Sequence, residues 1–159
     1  MCGIVAAASN RNVVPILLDG LTRLEYRGYD SAGITLADNN KIVRIRKQGK
    51  VAELHKSVKK EKNFKSPLGV AHTRWATHGE PSEINAHPHV SGDDYSNSEI
   101  ALVHNGIIEN FADIREKLTA EGYVFSSKTD SEVIVHLIHL YRKDHDLIGA
   151  VARATSDLV

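Results

Sequence analysis

The sequence predicts an α+β layered fold, and three observations carry that expectation. Short apolar runs of strand length alternate with segments whose apolar residues recur at helical spacing. The chain has 159 residues, 42% of them hydrophobic, which suits one globular domain with a real core. Strand runs with outer helices are the pattern of sheets packed against helical layers.

Cys2 to Ala8 is a short apolar run, read as a buried strand. Val13, Ile16, Leu17, Leu21 and Leu24 keep helical spacing, with Pro15 near the first turn, where its missing N–H is tolerated. Gly28 then reads as a helix C-cap followed by a turn. Gly33 to Ala37 and Ile42 to Arg46 flank Asp38-Asn39-Asn40-Lys41, a hairpin signal. Val51 to Lys59 is a short helix, and Leu68 to Thr73 and Ile100 to His104 are strand-like. Between them, the Pro-, His-, Ser- and Asp-rich stretch from Trp75 to Ser98 is too long for a neutral connector, and such loops are usually functional. Phe111, Ile114 and Leu118 mark a helix ended by Gly122; Val133, Ile134, Leu137, Ile138 and Tyr141 mark another. Thr129-Asp130-Ser131-Glu132 reads as a capping box, with Thr129 as cap and Glu132 reaching back, which leaves Asp130 in the first turn to hold a cation such as an ammonium. Leu147 to Val159 brings Ile148, Val151, Leu158 and Val159 with little left to pack against.

Composition closes several doors. Lys plus Arg equals Asp plus Glu at 20 each, so no global field draws nucleic acid or an anionic membrane. The one basic stretch, Lys56 to Lys65, is interrupted by Glu61 and reads as a solvated helix end and linker. A single cysteine makes no internal disulfide and gives no sign of an oxidising compartment. The apolar run Ile4 to Ala8 is too short for a signal peptide, and nothing approaches a membrane span. A cytoplasmic location is expected, with no nucleic-acid or membrane partner.

Cys2 carries the most chemical information. Met1 is removed by methionine aminopeptidase when a small residue follows, and the mature chain then begins with a thiol beside a free α-amine. Such a residue carries its own base and needs no separate histidine. Taken alone it is equally a small buried residue opening a strand. Arg23 to Gly33 is a polar, Gly-punctuated turn between a helix and a strand. His72-Thr73-Arg74-Trp75-Ala76-Thr77-His78-Gly79 leaves a strand end, where a held guanidinium can grip a carboxylate with two hydrogen bonds; in the plainer reading Arg74 is a surface cation. His104-Asn105-Gly106 pairs an amide side chain with a glycine N–H, a plausible two-donor oxyanion hole, although Asn-Gly is also a common turn.

These residues together resemble the class II glutamine amidotransferase domain. The resemblance rests on Cys2-Gly-Ile-Val, Arg-Leu-Glu-Tyr-Arg-Gly-Tyr-Asp-Ser-Ala-Gly, His-Thr-Arg-Trp-Ala-Thr-His-Gly, Asn85-Ala-His-Pro-His89, His104-Asn-Gly-Ile-Ile-Glu-Asn110 and Thr-Asp-Ser-Glu, in the family's order over almost the whole chain. Ala6 departs from a glycine frequent in the family and leaves the nucleophile untouched. The resemblance implies an N-terminal-nucleophile, four-layer αββα sandwich with two antiparallel sheets, spanning residues 2–159. It implies Cys2 as nucleophile with its own α-amine as base, Asn105 and Gly106 holding the oxyanion, and Arg27 and Gly28 lining the nucleophile's surroundings. Arg74 would bind the glutamine α-carboxylate and Asp130 its α-ammonium, with Trp75, Thr77 and His78 shaping the pocket. No metal or other cofactor is implied. The reaction would release ammonia from glutamine through a cysteinyl thioester.

The motifs sit nearest the branch of the family that passes the ammonia to fructose 6-phosphate. In that branch the glutaminase domain is expected to continue beyond Val159 and to be joined to sugar-isomerase domains, in a parent enzyme that is a homo-oligomer. Two other classes stand beside this one. A metal hydrolase would use histidines such as His72, His78, His87 and His89, although no regular helical ligand pair is present. A non-catalytic glutamine-binding fragment would bind without turnover.

Overall fold

The computed structural model describes residues 2–28, 30–38, 41–61, 64–75, 79–91 and 100–159. In chain order the elements are β1 (Gly3–Ala8), α1 (Val14–Leu24), a 3₁₀ turn (Glu25–Arg27), β2 (Ser31–Asp38), β3 (Lys41–Gln48), α2 (Val51–Lys60), β4 (Leu68–Arg74), β5 (His89–Val90), β6 (Ala101–Leu102), α3 (Phe111–Ala120), α4 (Glu132–Tyr141) and α5 (Leu147–Ser156). Four strands form one antiparallel sheet in the order β1-β4-β2-β3, and β5 and β6 form a second antiparallel pair.

Strand alternation decides what each face of the large sheet does. Ala32, Ile34 and Leu36 of β2 and Ala71 of β4 point one way, onto Leu17 and Leu21 of α1 and Leu54 and Val58 of α2. Burying a side chain such as Leu17, Leu21, Ile34 or Leu54 contributes about 1.5–3 kcal/mol, so this helix-covered face is the first core. The opposite face carries Ser31, Gly33 and Thr35 of β2 beside His72 and Arg74 of β4 and Arg44 and Arg46 of β3. Small residues there admit the loop that precedes β5. A Cβ on Gly33 would stand 2.1 Å from the His87 carbonyl oxygen, so that position takes only glycine without moving the loop. Arg44 donates to the Pro88 carbonyl at 3.1 Å, and Arg46 to those of Ile84 and Ala86 at 2.8 and 2.9 Å. The His87–Pro88 bond is cis.

The second core joins Ile114 and Leu118 of α3, Val133, Ile134, Leu137 and Ile138 of α4, and Ala150 and Ala154 of α5. The layers therefore run helix, sheet, sheet, helix, in agreement with the expected αββα order. The elements match the sequence reading in most places, including the hairpin, whose register pairs Asp38 with Lys41; Asn39 and Asn40 lie outside the described residues. Gly122, at φ 89°, closes the turn after α3.

Four readings change. The strand expected to be buried over Cys2 to Ala8 is an edge strand, with Ile4, Ala6 and Ala8 exposed on one face. The strand expected over Ile100 to His104 shortens to Ala101–Leu102, because its partner β5 offers only two residues. Gly28 does cap, but it caps the 3₁₀ turn in an extended conformation, its N–H donating to the Glu25 carbonyl at 3.1 Å. The capping box is absent. The residue before α4 is Ser131, and Glu132 turns away from Thr129 to accept from the N–H and hydroxyl of both Ser126 and Ser127 at 2.6–2.9 Å. Four donors outcompete the single N–H a box would supply.

Candidate functional site

The same alternation assembles the site. Gly3 pairs with Thr73 across β1 and β4, which sets Cys2, one residue earlier, beside Arg74. Cys2 thus shares the loop-covered face of the sheet with His72 and Arg74. The register is pinned where Gly3 N–H donates to Thr73 Oγ1 at 3.1 Å. The half-buried thiol receives the Trp75 N–H at 3.2 Å and lies 3.7 Å from the Trp75 carbonyl. Met1 lies outside the described residues.

A cavity of about 350 Å³ opens at Cys2, at the small end of the range for ligand pockets. Its lining brings together Cys2, Arg74, Trp75, Asn105, Gly106 and Asp130, all six of them singled out in the sequence and drawn from four separate stretches. Arg27 and Gly28 are not in that lining: Gly28 is buried, while Arg27 is exposed and donates from Nε to the Tyr26 hydroxyl at 3.2 Å. Thr77 and His78 lie outside the described residues.

Arg74 is 4% exposed and donates to the Gly79 carbonyl at 3.3 Å. Burial pulls its pKa below the ordinary value, while the electrostatic influence of Cys2, Asp130 and Asp30 opposes that fall. Asp130, also 4% exposed, is held by backbone donors: Ile108 N–H reaches Oδ2 and Ser131 N–H reaches Oδ1, each at 2.8 Å. A buried cation and a buried anion therefore face one small space, which matches the two ends of an amino acid. Asn105 projects from an exposed turn with its Nδ2 3.4 Å from the Cys2 carbonyl and its Oδ1 2.8 Å from His72 Nε2. Gly106 backs onto the ring of His104, where an added Cβ would stand 2.6 Å from Nε2, and His104 Nδ1 lies 3.1 Å from Ser131 Oγ.

His87, His104, Ile107, Thr129 and Ser131 also line the cavity but were not among the residues expected of an amidotransferase site, and His72, weighed with His87 only as a metal ligand, had no place in it. The available signal was the alternation in β4, which puts His72 on the face of Arg74. Beside the cavity the rings of His72, His87 and His89 pack in a short stack, tilted between His72 and His87 at 4.3 Å and edge-on between His87 and His89 at 4.5 Å. Burial lowers all three pKa values, His72 to about 4 and His89 to about 3, so the stack is neutral at pH 7. Among the described residues no three His, Cys, Asp or Glu side chains converge as a metal's ligands would; His78 is not among them.

Residues 72–156 match the glutamine amidotransferase domain family. The chain is 52% identical over 159 residues to the isomerizing glutamine–fructose-6-phosphate aminotransferase of Acinetobacter baylyi. It is 56% identical over 160 residues to that of Idiomarina loihiensis; each alignment covers 99% of this chain and 25% of the relative. The chain thus spans about a quarter of the length of the curated relatives it matches. In three dimensions it is similar to the glutamine phosphoribosylpyrophosphate amidotransferase from B. subtilis complexed with ADP and GMP, with a TM-score of 0.77 at 28% identity over 99% of this chain and 32% of that one. A structure described as the allosteric regulatory enzyme of purine biosynthesis gives a TM-score of 0.80 at 28% identity, over 99% and 33%.

Proposed function

The chain belongs to the glutamine amidotransferase domain family, and from that premise we propose that it hydrolyses glutamine to glutamate and ammonia at the Cys2 cavity. One observation carries the reading: a thiol, an amide donor and an opposed pair of charges, from four stretches of chain, meet in one small cavity. In the proposed reaction Met1 is removed and the α-amine of Cys2 takes the thiol proton. The sulfur attacks the side-chain amide carbon of glutamine. Asn105 Nδ2–H and Gly106 N–H hold the oxygen of the tetrahedral intermediate, where the negative charge develops. The C–N bond then breaks, the nitrogen leaves protonated as ammonia, and water hydrolyses the γ-glutamyl thioester to glutamate and the thiol.

Recognition rests on the far end of the substrate. Arg74 binds the α-carboxylate in a two-pronged contact and Asp130 binds the α-ammonium. Trp75, Thr77 and His78 shape the pocket, and Arg27 and Gly28 border the nucleophile; these roles rest on the resemblance of their motifs to the family's. The names of the relatives support a longer protein in which the ammonia aminates fructose 6-phosphate, and its assembly as a homo-oligomer is an extension of the same resemblance. We place the protein in the cytoplasm. No described helix is long and apolar enough to cross a membrane, and the single thiol is unbridged.

Glutamate release from glutamine, measured for the native protein and for Cys2→Ala, tests the reading, with mass spectrometry reporting removal of Met1. We expect turnover only from protein that begins at Cys2, and none from Cys2→Ala. Activity above a few percent in that variant rules out the thioester, and binding of glutamine without turnover makes this a recognition domain.

A further inference from the structure

We propose that His72 is a positioning residue of this site: its Nε2–H sets which way round the Asn105 carboxamide sits, and so keeps the Nδ2 donor on the side of Cys2. The inference rests on the reading of Asn105 as an oxyanion donor. A carboxamide can turn by 180° about its last bond, exchanging a donor for an acceptor with almost no change of shape. Asn105 is exposed, so packing does not choose between the two orientations. Hydrogen bonds must. In the observed one, Nδ2 donates toward the Cys2 carbonyl at 3.4 Å and Oδ1 faces His72 Nε2 at 2.8 Å. The reversed amide would set its oxygen against the Cys2 carbonyl oxygen and offer the oxyanion an acceptor instead of a donor.

The 3.4 Å contact is long and weak, whereas the 2.8 Å contact is short and made to a ring that cannot drift. His72 is 1% exposed and stacked on His87 at 4.3 Å. The tautomer is what matters. A neutral imidazole donates from one nitrogen and accepts at the other, and which is which follows from their partners. Nδ1 of His72 has no hydrogen-bond partner among the described residues, so a proton there would be a buried donor left unsatisfied. The proton belongs on Nε2, where Oδ1 accepts it. Burial keeps the ring neutral, outweighing the hydrogen bonds with the Asn105 side chain and the His104 backbone that favour a second proton, and the nearby Arg74 charge disfavours one. His72 therefore does for Asn105 what an outer partner does for a metal ligand: it never touches the reacting atoms, yet it aims the group that does.

Two measurements test this. In ring ¹⁵N spectra at neutral pH, His72 should show Nε2 protonated and Nδ1 bare; the reverse tautomer overturns the inference whether or not the protein turns over glutamine. In the glutaminase assay, Asn105→Ala should lower kcat by about 100- to 1000-fold with KM little changed. His72→Leu, which lacks a donor, should lower kcat by roughly 10- to 100-fold, again with KM little changed. His72→Gln, whose amide nitrogen takes the place of Nε2, should recover to within about 5-fold of the native kcat. The double variant His72→Leu/Asn105→Ala should be no slower than Asn105→Ala alone, because both act through one group. If His72→Leu does not fold by circular dichroism, His72→Asn replaces it, being polar but too short to reach Oδ1. Losses that multiply in the double variant, a His72→Gln enzyme as slow as His72→Leu, or losses confined to KM would overturn the inference. An unimpaired Asn105→Ala enzyme would instead sink the reading of Asn105 itself, while damage in Asn105→Ala with every His72 variant fully active sinks this inference alone.

Discussion

Asp130 is the residue whose structure most alters how its role can be tested. Its two carboxylate oxygens already accept N–H groups from Ile108 and Ser131, so it is both an anchor for the start of α4 and a lining anion of the cavity. Asp130→Asn would remove the charge but also turn an NH₂ toward one of those backbone donors. We therefore expect two separable losses: weaker glutamine binding, and a stability loss of about 1–3 kcal/mol from the donor left without an acceptor. Glutamine titration and urea unfolding on the same variant separate them. Unchanged affinity together with reduced stability would leave Asp130 as an anchor only. At this scale much of the cavity lining was legible, since Cys2, Arg74, Trp75, Asn105, Gly106 and Asp130, singled out from their residue chemistry and their likeness to the family's motifs, all border it. His72 was not, because a histidine in a strand declares neither its tautomer nor its partner.

Among the elements, the start of α4 is tied to the loop before it through Glu132. Its side chain is almost fully buried, and burial alone would raise its pKa. The nearby His136 ring and the hydrogen bonds from Ser127 and Ser126 outweigh that and hold the carboxyl well below its usual range. Glu132→Ala would strand four donors in the loop before the helix. We expect a loss of about 3–5 kcal/mol, the range for breaking a buried charged network, read as a lower urea midpoint with the slope unchanged. A loss below 1 kcal/mol would mean that water replaces the carboxylate without strain. The capping-box reading failed here for a physical reason: Thr-x-x-Glu describes a local exchange, and it cannot show that Ser126 and Ser127 fold back within reach. The short β6 has the same explanation, since an apolar run of strand length pairs only as far as its partner extends.

For the whole molecule, the stacked histidines predict how stability depends on pH. A histidine whose pKa is lowered by folding binds its proton more readily in the unfolded chain. Stability is then full above the unfolded value near 6.5 and falls as the pH drops toward the folded values, about 4 for His72 and about 3 for His89. Each such group contributes a slope of about 1.4 kcal/mol per pH unit within that window. Unfolding free energies in urea at pH 7.5, 6 and 5 should fall steeply over the lower interval, and a flat profile would contradict the buried, neutral stack. The molecule also exposes apolar surface: Ile148 is 79% and Val159 72% exposed, and a groove of about 490 Å³ runs between Leu68 and Val70 of the large sheet, Ala101 and Leu102 of β6, and Leu147 and Val151 of α5. Contiguous apolar surface promotes association. We expect this 159-residue chain to elute in size-exclusion chromatography as a concentration-dependent mixture of species; a single monomeric peak at every concentration would refute that.

Local pattern and residue chemistry alone determined most of the element types and marked Cys2 as the candidate nucleophile, because periodicity and functional-group chemistry act over a few residues. Only the tertiary structure decided how these parts meet. The pairing of Gly3 with Thr73 puts the thiol beside Arg74, the contact of Gly33 with the His87 carbonyl seats the loop over the sheet, and the turn of Glu132 toward Ser126 and Ser127 replaces a helix cap. The third depends on how the loop just before α4 folds back, and the first two on which distant segment arrives at a given face. That is set by the summed packing of two cores, a quantity that no short stretch of the chain contains.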